Sequence, residues 1–418
     1  MKTFHDPDTF ARVKRLPLYV FTITDRLRDQ AIARGVDVVD FSMGNPDGAA
    51  PSRAVEALRS AALDKKYHRY MNPRGIPELR QAAAAWFKRR HGIELDPERE
   101  VMATIGSKDG IGHAMVAMLQ EGDGVLAPAP TYPIHGYGAL LAGGETIHVP
   151  VGPGVDFMES LVAATEQETE RRPRGIVVNF PANPTTAVAT PELFQKIVRF
   201  AEARDLFIIS DLAYCDIVFD GARAPFMLQV PGARERTLEF VSMSKSYNMA
   251  GFRVGFAAGS HVLVSALARV KSYLDYGLFG AAQVAATVAL NECDDFPAEV
   301  AAKYQRRRDV LVREFTAAGW PVPSPAATMF AWAPIPEPLR WMGSLEFSRR
   351  LIEEAGVCVS PGIGFGRAGE GHVRIALVED EARIRAAAER LARFIEKASK
   401  EPRPSHTPVP RPAPVDRA

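Results

Sequence analysis

The amino-acid sequence predicts an α/β protein in which a mostly parallel central sheet is covered by helices and a smaller α+β C-terminal domain follows. Three observations carry that expectation. Short apolar runs alternate with helical segments over residues 101–258, the pattern of a parallel sheet buried on both faces. The chain has 418 residues, 47% of them hydrophobic, enough for one large or two medium domains. Turn-forming and polar residues collect directly after the apolar runs, where ligands of such sheets bind.

Composition narrows the partners. Lys and Arg number 51 against 50 Asp and Glu, a net charge of +1 with no clustered basic face, so nucleic acid is not an expected partner. No apolar run approaches the roughly 18 residues of a membrane span. Residues 1–15 mix Asp6, Asp8, Lys14 and Arg15 without the long apolar core of a signal peptide, so export is not expected. Cys215, Cys293 and Cys358 are odd in number and far apart, which fits reduced thiols in a cytoplasm. No histidine pair has metal-ligand spacing, so no metal site is expected.

Taken in order, an arm at 12–25 leads to a strand-like run at 36–41 and the turn-rich Ser42-Met43-Gly44-Asn45-Pro46-Asp47-Gly48. Helical periodicity covers 51–65 and 77–90, the second with Pro77 in its first turn and Gly92 just past its end. Between them, Tyr70-Met71-Asn72-Pro73-Arg74-Gly75 reads as a turn behind a packing tyrosine. Strands are expected at 101–105, 124–127, 145–149, 175–179, 206–210, 239–241 and 254–258. A helix opens at Gly106-Ser107-Lys108-Asp109-Gly110. Its first amides can hold a phosphate, or Ser107 can be only a cap. Pro130-Thr131-Tyr132-Pro133 follows one strand, and Phe180-Pro181-Ala182-Asn183-Pro184-Thr185 follows another. Asp211 ends the apolar strand at 206–210, either as a helix cap or as a functional acid, with Tyr214 three residues on.

Residues 266–290 read as helical, and 296–318 as a long amphipathic helix passing to the smaller domain. That domain holds strands at 329–333, 357–359 and 373–377 and helices at 345–355 and 381–397. Gly364-Phe365-Gly366-Arg367-Ala368-Gly369 matches a dinucleotide fingerprint literally, but it runs into a strand and does not open a helix. Arg374 interrupts an apolar strand, which requires a partner or an edge. The expected organisation is an N-terminal arm (1–45) packing on the small domain, a large domain (46–295), the small domain (296–400) and a Pro-rich disordered tail (401–418).

Ser242-Met243-Ser244-Lys245 is expected on a loop between two apolar strands, with Arg253 eight residues beyond the lysine. A lone lysine is a solvated charge. This one, with serines before it and an arginine after it, resembles the Ser-x-x-Lys signature of fold-type I pyridoxal phosphate (PLP) enzymes. The remaining motifs occur in that family's order, from about Tyr19 to Leu377, and the chain is identified as resembling the class I aminotransferases.

The resemblance implies that Lys245 carries the cofactor and moves the substrate's proton, Asp211 pairs with the pyridine nitrogen, and Tyr214 and Asn183 meet the phenolic oxygen. It places Ser107, Lys108, Ser242, Ser244 and Arg253 in the phosphate cup, Tyr132 against the pyridine face, and Tyr70 on the phosphate of a neighbouring subunit in a homodimer. Gly44, Tyr19, Asn183 and Arg374 would meet the substrate, Arg374 through its carboxylate. Thr186 stands where the family's Asn-Pro-Thr-Gly turn has glycine. Within the class, Phe41 to Gly48 and Cys358 to Gly366 are similar to the alanine-forming glutamate-pyruvate aminotransferases, with LL-diaminopimelate aminotransferases close behind. Two further readings use the same cofactor: a β-lyase or cyclopropane-forming cyclase, and a regulatory protein. The last needs a basic DNA-binding extension for which the arm leaves no room.

Overall fold

The computed structural model describes residues 9–17, 20–168 and 170–402. Tyr19 and the Pro-rich segment from 403 onward lie outside these residues.

Twelve strands occur among the described residues: β1 (Val39–Asp40), β2 (Val101–Thr104), β3 (Asp123–Ala129), β4 (Glu145–Pro150), β5 (Arg172–Asn179), β6 (Phe207–Asp211), β7 (Thr237–Ser242), β8 (Gly255–Gly259), β9 (Phe330–Pro334), β10 (Val357–Cys358), β11 (Ser360–Pro361) and β12 (His372–Ala376). Seven of them form the main sheet in the order β2-β8-β7-β6-β5-β3-β4. All its pairings are parallel except those of β8, which runs against both β2 and β7. The expected mostly parallel sheet is therefore present, with one reversed strand.

Neighbouring residues of a strand point to opposite faces, and here both faces are buried. In β6, Ile208 packs with Leu161, Phe194 and Ile197, while Ile209 packs with Ile111, Met115 and Leu267 in a separate cluster. The covering helices are set by local chemistry. Helix Pro77–His91 has proline in its first turn and stops at Gly92, whose φ of 70° is the left-handed conformation glycine adopts freely. Thr190 caps Pro191–Ala203 by accepting from the Leu193 amide.

A second core gathers around the antiparallel sheet β11-β12-β9 and helices Phe296–Ala317, Gly343–Ala355 and Glu381–Ser399. Trp320 is fully buried in it, edge-on to Phe347 at 5.4 Å between centroids. Helix Val20–Ala33 sends Ala31 against Ile352 and Cys358, and β1 pairs with β10 in parallel. Among the described residues no helix is long and apolar enough to cross a membrane.

Three local expectations need correction. Lys245 is not on an open loop but in a single helical turn, Met243–Ser246. The run at 266–290 is two helices, His261–Leu274 and Gly280–Glu292. Tyr276 takes a φ of 62° between them, and a side chain at Gly277 would run into the Met71 carbonyl. The strand expected at 36–41 shrinks to β1 because its partner β10 is itself only two residues long.

Candidate active site

Strands β2, β3, β5, β6 and β7 share one direction, so the segments leaving their carboxyl ends converge on one edge of the sheet. A cavity of about 310 Å³ opens there. Ser107, Lys108, Tyr132, Asn183, Asp211, Tyr214, Ser242, Ser244, Lys245, Arg253, Arg374 and Gly44 all line it. Of the other residues singled out in the sequence, Tyr70 is 90% exposed and meets Tyr276 at 5.6 Å between ring centroids, away from this cavity.

One end of the cavity is built for an anion. Helix Gly106–Met118 points its first amides inward, and its cap residue is Ile105, so Ser107 is not a cap. The Ser107 hydroxyl is buried and has no hydrogen-bond partner among the described residues. Arg253 has a φ of 56° and donates to the carbonyls of Ala250 (3.0 Å) and Ile105 (3.1 Å), which brings its guanidinium against Gly106. A side chain at Gly106 would lie 2.8 Å from Arg253 Nη2, so glycine is required for that approach. The Ser244 amide donates to Ser242 Oγ at 3.2 Å, fixing the turn that carries Lys245. Lys108 lies over the Tyr132 ring at 5.9 Å, its pKa lowered by burial and then by Arg253.

Lys245 Nζ donates to the Gly44 carbonyl at 2.6 Å. Burial brings its pKa down to about 8, and the charges of Arg374 and Arg253 push the same way. Gly44 sits so close to Phe330 that any side chain there would run into the ring. Tyr214 is buried edge-on to Phe330, and burial raises its pKa, so the phenol keeps its proton and can donate.

Asp211 ends β6 with its carboxylate held at both oxygens. Oδ1 accepts from the Ala213 amide at 3.1 Å, and Oδ2 lies 2.9 Å from His135 Nε2. His135, fully buried, meets Thr131 Oγ1 through its other nitrogen at 2.7 Å. Sequence reasoning missed this histidine. The available signal was a histidine one turn into the helix after Pro130-Thr131-Tyr132-Pro133, on the strand end two places away in the sheet.

Arg374 donates through Nη1 to Asn183 Oδ1 (2.9 Å) and through Nη2 to the Ser42 carbonyl (3.0 Å). Phe330 and Phe365 lie 4.1 and 4.7 Å from its guanidinium carbon. Because an arginine cannot accept, the Asn183 amide is oriented with its oxygen on Arg374 and its NH₂ left to donate. The Asn183 turn closes with Thr186 at a φ of 60°, its amide donating to the Ala182 carbonyl at 3.0 Å. Threonine therefore occupies the left-handed position that glycine fills in the resembling motif.

Lys108, Lys245, Arg253 and Arg374 face a single carboxylate, Asp211, across the cavity. The complementary ligand is an anion with one site that can carry a proton beside Asp211. Pyridoxal phosphate fits: the orphaned Ser107 hydroxyl and the crowded Gly106 suit its phosphate, and Asp211 suits its ring nitrogen.

Comparison with known proteins agrees with the geometry. The family described as aminotransferase class I and II matches residues 36–391. The chain is 52% identical to glutamate-pyruvate aminotransferase AlaC of Escherichia coli, over 90% of this chain and 92% of that protein. It is 42% identical to LL-diaminopimelate aminotransferase of Moorella thermoacetica, over 92% and 98% of the two chains. The solved substrate-bound BacF structure from Bacillus subtilis superposes with a TM-score of 0.86 at 31% identity, over 92% of this chain and 97% of that one. The chain belongs to the class I and II aminotransferases and is a transaminase that works with pyridoxal phosphate.

Proposed function

We propose that this transaminase exchanges the amino group of alanine and pyruvate with that of glutamate and 2-oxoglutarate, and that the residues lining the cavity do the work. The observation that carries the reading is the placing of Lys245, Asp211 and Arg374 around one cavity of about 310 Å³. The substrate pair is supported by the 52% identity to the Escherichia coli glutamate-pyruvate enzyme. A second reading, amino transfer from LL-diaminopimelate, is favoured by the 42% identity to the Moorella thermoacetica protein.

When bound, pyridoxal phosphate supplies the electron sink that accepts the pair left by the broken Cα–H bond. Ser107, Lys108, Ser242, Ser244 and Arg253 hold its phosphate, and Tyr132 lies against its ring. Asp211 keeps the proton on the ring nitrogen, while Tyr214 Oη and Asn183 Nδ2 donate to the phenolic oxygen. Arg374 forks onto the substrate carboxylate and Gly44 offers backbone beside it. Tyr19 would complete this side. Lys245 is the group that takes the α-proton at Nζ as a general base and gives it back as a general acid.

Tyr70 is assigned to the neighbouring subunit's phosphate in a homodimer, a role that its exposure on this chain supports. The division at 46–295 and 296–400 is supported by the separate hydrophobic core around β9, β11 and β12. Three free thiols fit a cytoplasmic setting.

L-Alanine with 2-oxoglutarate should yield glutamate and pyruvate in equal amounts. Turnover of LL-diaminopimelate alone would replace the alanine assignment with the second reading. Pyruvate released with ammonia, and no need for an oxo acid, would mark a lyase. Arg374→Ala is expected to raise KM for both alanine and 2-oxoglutarate by about 100-fold, the loss of a charged fork. Steady-state kinetics check this, and unchanged KM values would remove Arg374 from the site.

A further inference from the structure

Asp40 lies outside the cavity, yet it is tied to Arg374 by consecutive short hydrogen bonds. Its Oδ1 accepts from both the Ser42 amide (2.8 Å) and the Ser42 hydroxyl (2.6 Å). Ser42 in turn offers its carbonyl to Arg374 Nη2 (3.0 Å) and to Ser360 Oγ (2.6 Å). Ser42, Ser360 and Arg374 are all at most 3% exposed.

We infer that Asp40 is a positioning residue for substrate recognition: it holds the amide and the hydroxyl of Ser42, and so the backbone of the residue whose carbonyl sets the direction of the Arg374 guanidinium. The inference rests on the reading of Arg374 as the group that binds the substrate carboxylate. Phe330 and Phe365 lie against the guanidinium, and Asn183 Oδ1, the Ser42 carbonyl and, at 3.4 Å, Ser360 Oγ accept from its nitrogens and set its direction. The Ser42 carbonyl uses both lone pairs, one for Arg374 and one for Ser360, so turning it breaks two bonds at once. The chain beyond it, Met43 to Asp47, has no regular structure to hold it. Asp40 supplies the hold from the other side. Its own place is set by β1, by its amide on Glu379 Oε1 (3.0 Å) and by Arg28 Nη1 on its second oxygen (3.2 Å). A fork for a planar carboxylate tolerates little misdirection, so the expected effect falls on substrate affinity.

The test uses the full-length holoenzyme. Asp40→Ala should raise KM for alanine and 2-oxoglutarate about 10-fold with kcat within about twofold. Its reaction with ethylamine, an amine with no carboxylate for Arg374 to grip, should be unchanged. Asp40→Asn should recover most of the KM, since its amide oxygen can accept both Ser42 bonds. Arg28→Ala, which leaves those bonds intact, should leave KM alone even where it lowers Tm. Should Asp40→Ala fold poorly, Ser42→Ala, which removes one of the two bonds, should give about a threefold rise in KM. If Arg374→Lys raises KM and Asp40→Ala does not, the inference fails and the reading of Arg374 stands. If Arg374→Lys also leaves KM unchanged, that reading fails as well. An Asp40→Ala enzyme equally impaired toward ethylamine would make Asp40 merely structural and overturn the inference.

Discussion

Lys245→Ala is expected to lower kcat for alanine and 2-oxoglutarate by at least roughly 10⁴-fold, because it removes the covalent anchor and the group that moves the proton together. The variant should still take up pyridoxal phosphate, since Ser107, Ser244 and Arg253 line the cavity independently of the lysine. Borohydride treatment of the wild-type holoenzyme should fix the cofactor to the peptide containing Lys245, and the variant should show no fixed label. Label on another lysine would displace Lys245 from its role.

The same residue sets a pH dependence. In the proposed role the deprotonated amine is the nucleophile, and burial brings its pKa to about 8, below the ordinary 10.5. At pH 7 about a tenth of the chains then carry the reactive amine, against about 1 in 3,000 for an unperturbed lysine. Capture of pyridoxal phosphate by the cofactor-free protein should therefore accelerate as pH rises from 7 and level off above about 9. A rate still climbing steeply through pH 10 would mean that burial does not tune this amine. The geometry gives the physical reason for the tuning: Nζ has a neutral carbonyl, Gly44, as its partner, and the charges near it are arginines.

Much of this was legible in the sequence because buried parallel strands read as apolar runs, and polar motifs directly after them mark the strand ends. Lys245, Asp211, Asn183 and Arg253 lie on segments leaving three different strands, yet each motif could be read from its own neighbours. His135 could not. It stands 76 residues from Asp211, and only the sheet order, which sets β3 beside β5 and β5 beside β6, brings them together. Asp40 was hidden for a similar reason, since its link to Arg374 spans the chain from one end to the other. The break at 275–279 is hard to read because Asp275 and Gly277 are a weak stop between two apolar helical stretches, and the Met71 carbonyl that makes the glycine necessary is remote in sequence. The arm expected at 12–25 carries a helix, Val20–Ala33, that the sequence does not announce, because Arg26, Arg28 and Asp29 obscure an apolar face that is small: Ala31 is buried against Ile352 and Cys358.

Asp211→Ala is expected to lower kcat by about 10³-fold, the scale at which a preorganised charge aimed at the reacting group acts in a buried site. The carboxylate is only 5% exposed and is aimed by three bonds: the Ala213 amide on Oδ1, His135 on Oδ2, and Asn179 Nδ2 on the residue's own carbonyl at 3.0 Å. Thr131 Oγ1 meets Nδ1 and Asp211 Oδ2 meets Nε2, so the imidazole is held at both nitrogens. The histidine thus holds the acid in place. His135→Phe keeps the ring's bulk and removes the bond to Asp211 together with the one to Thr131, and with the carboxylate itself still present its loss should be smaller, about 10-fold in kcat. Because His135 acts only through Asp211, the double variant should be no slower than Asp211→Ala alone. Stopped-flow measurement of the first half-reaction with alanine separates these effects from product release. An Asp211→Ala enzyme that retains its kcat would end the assignment of Asp211, while additive losses in the double variant would give His135 a separate part in the reaction.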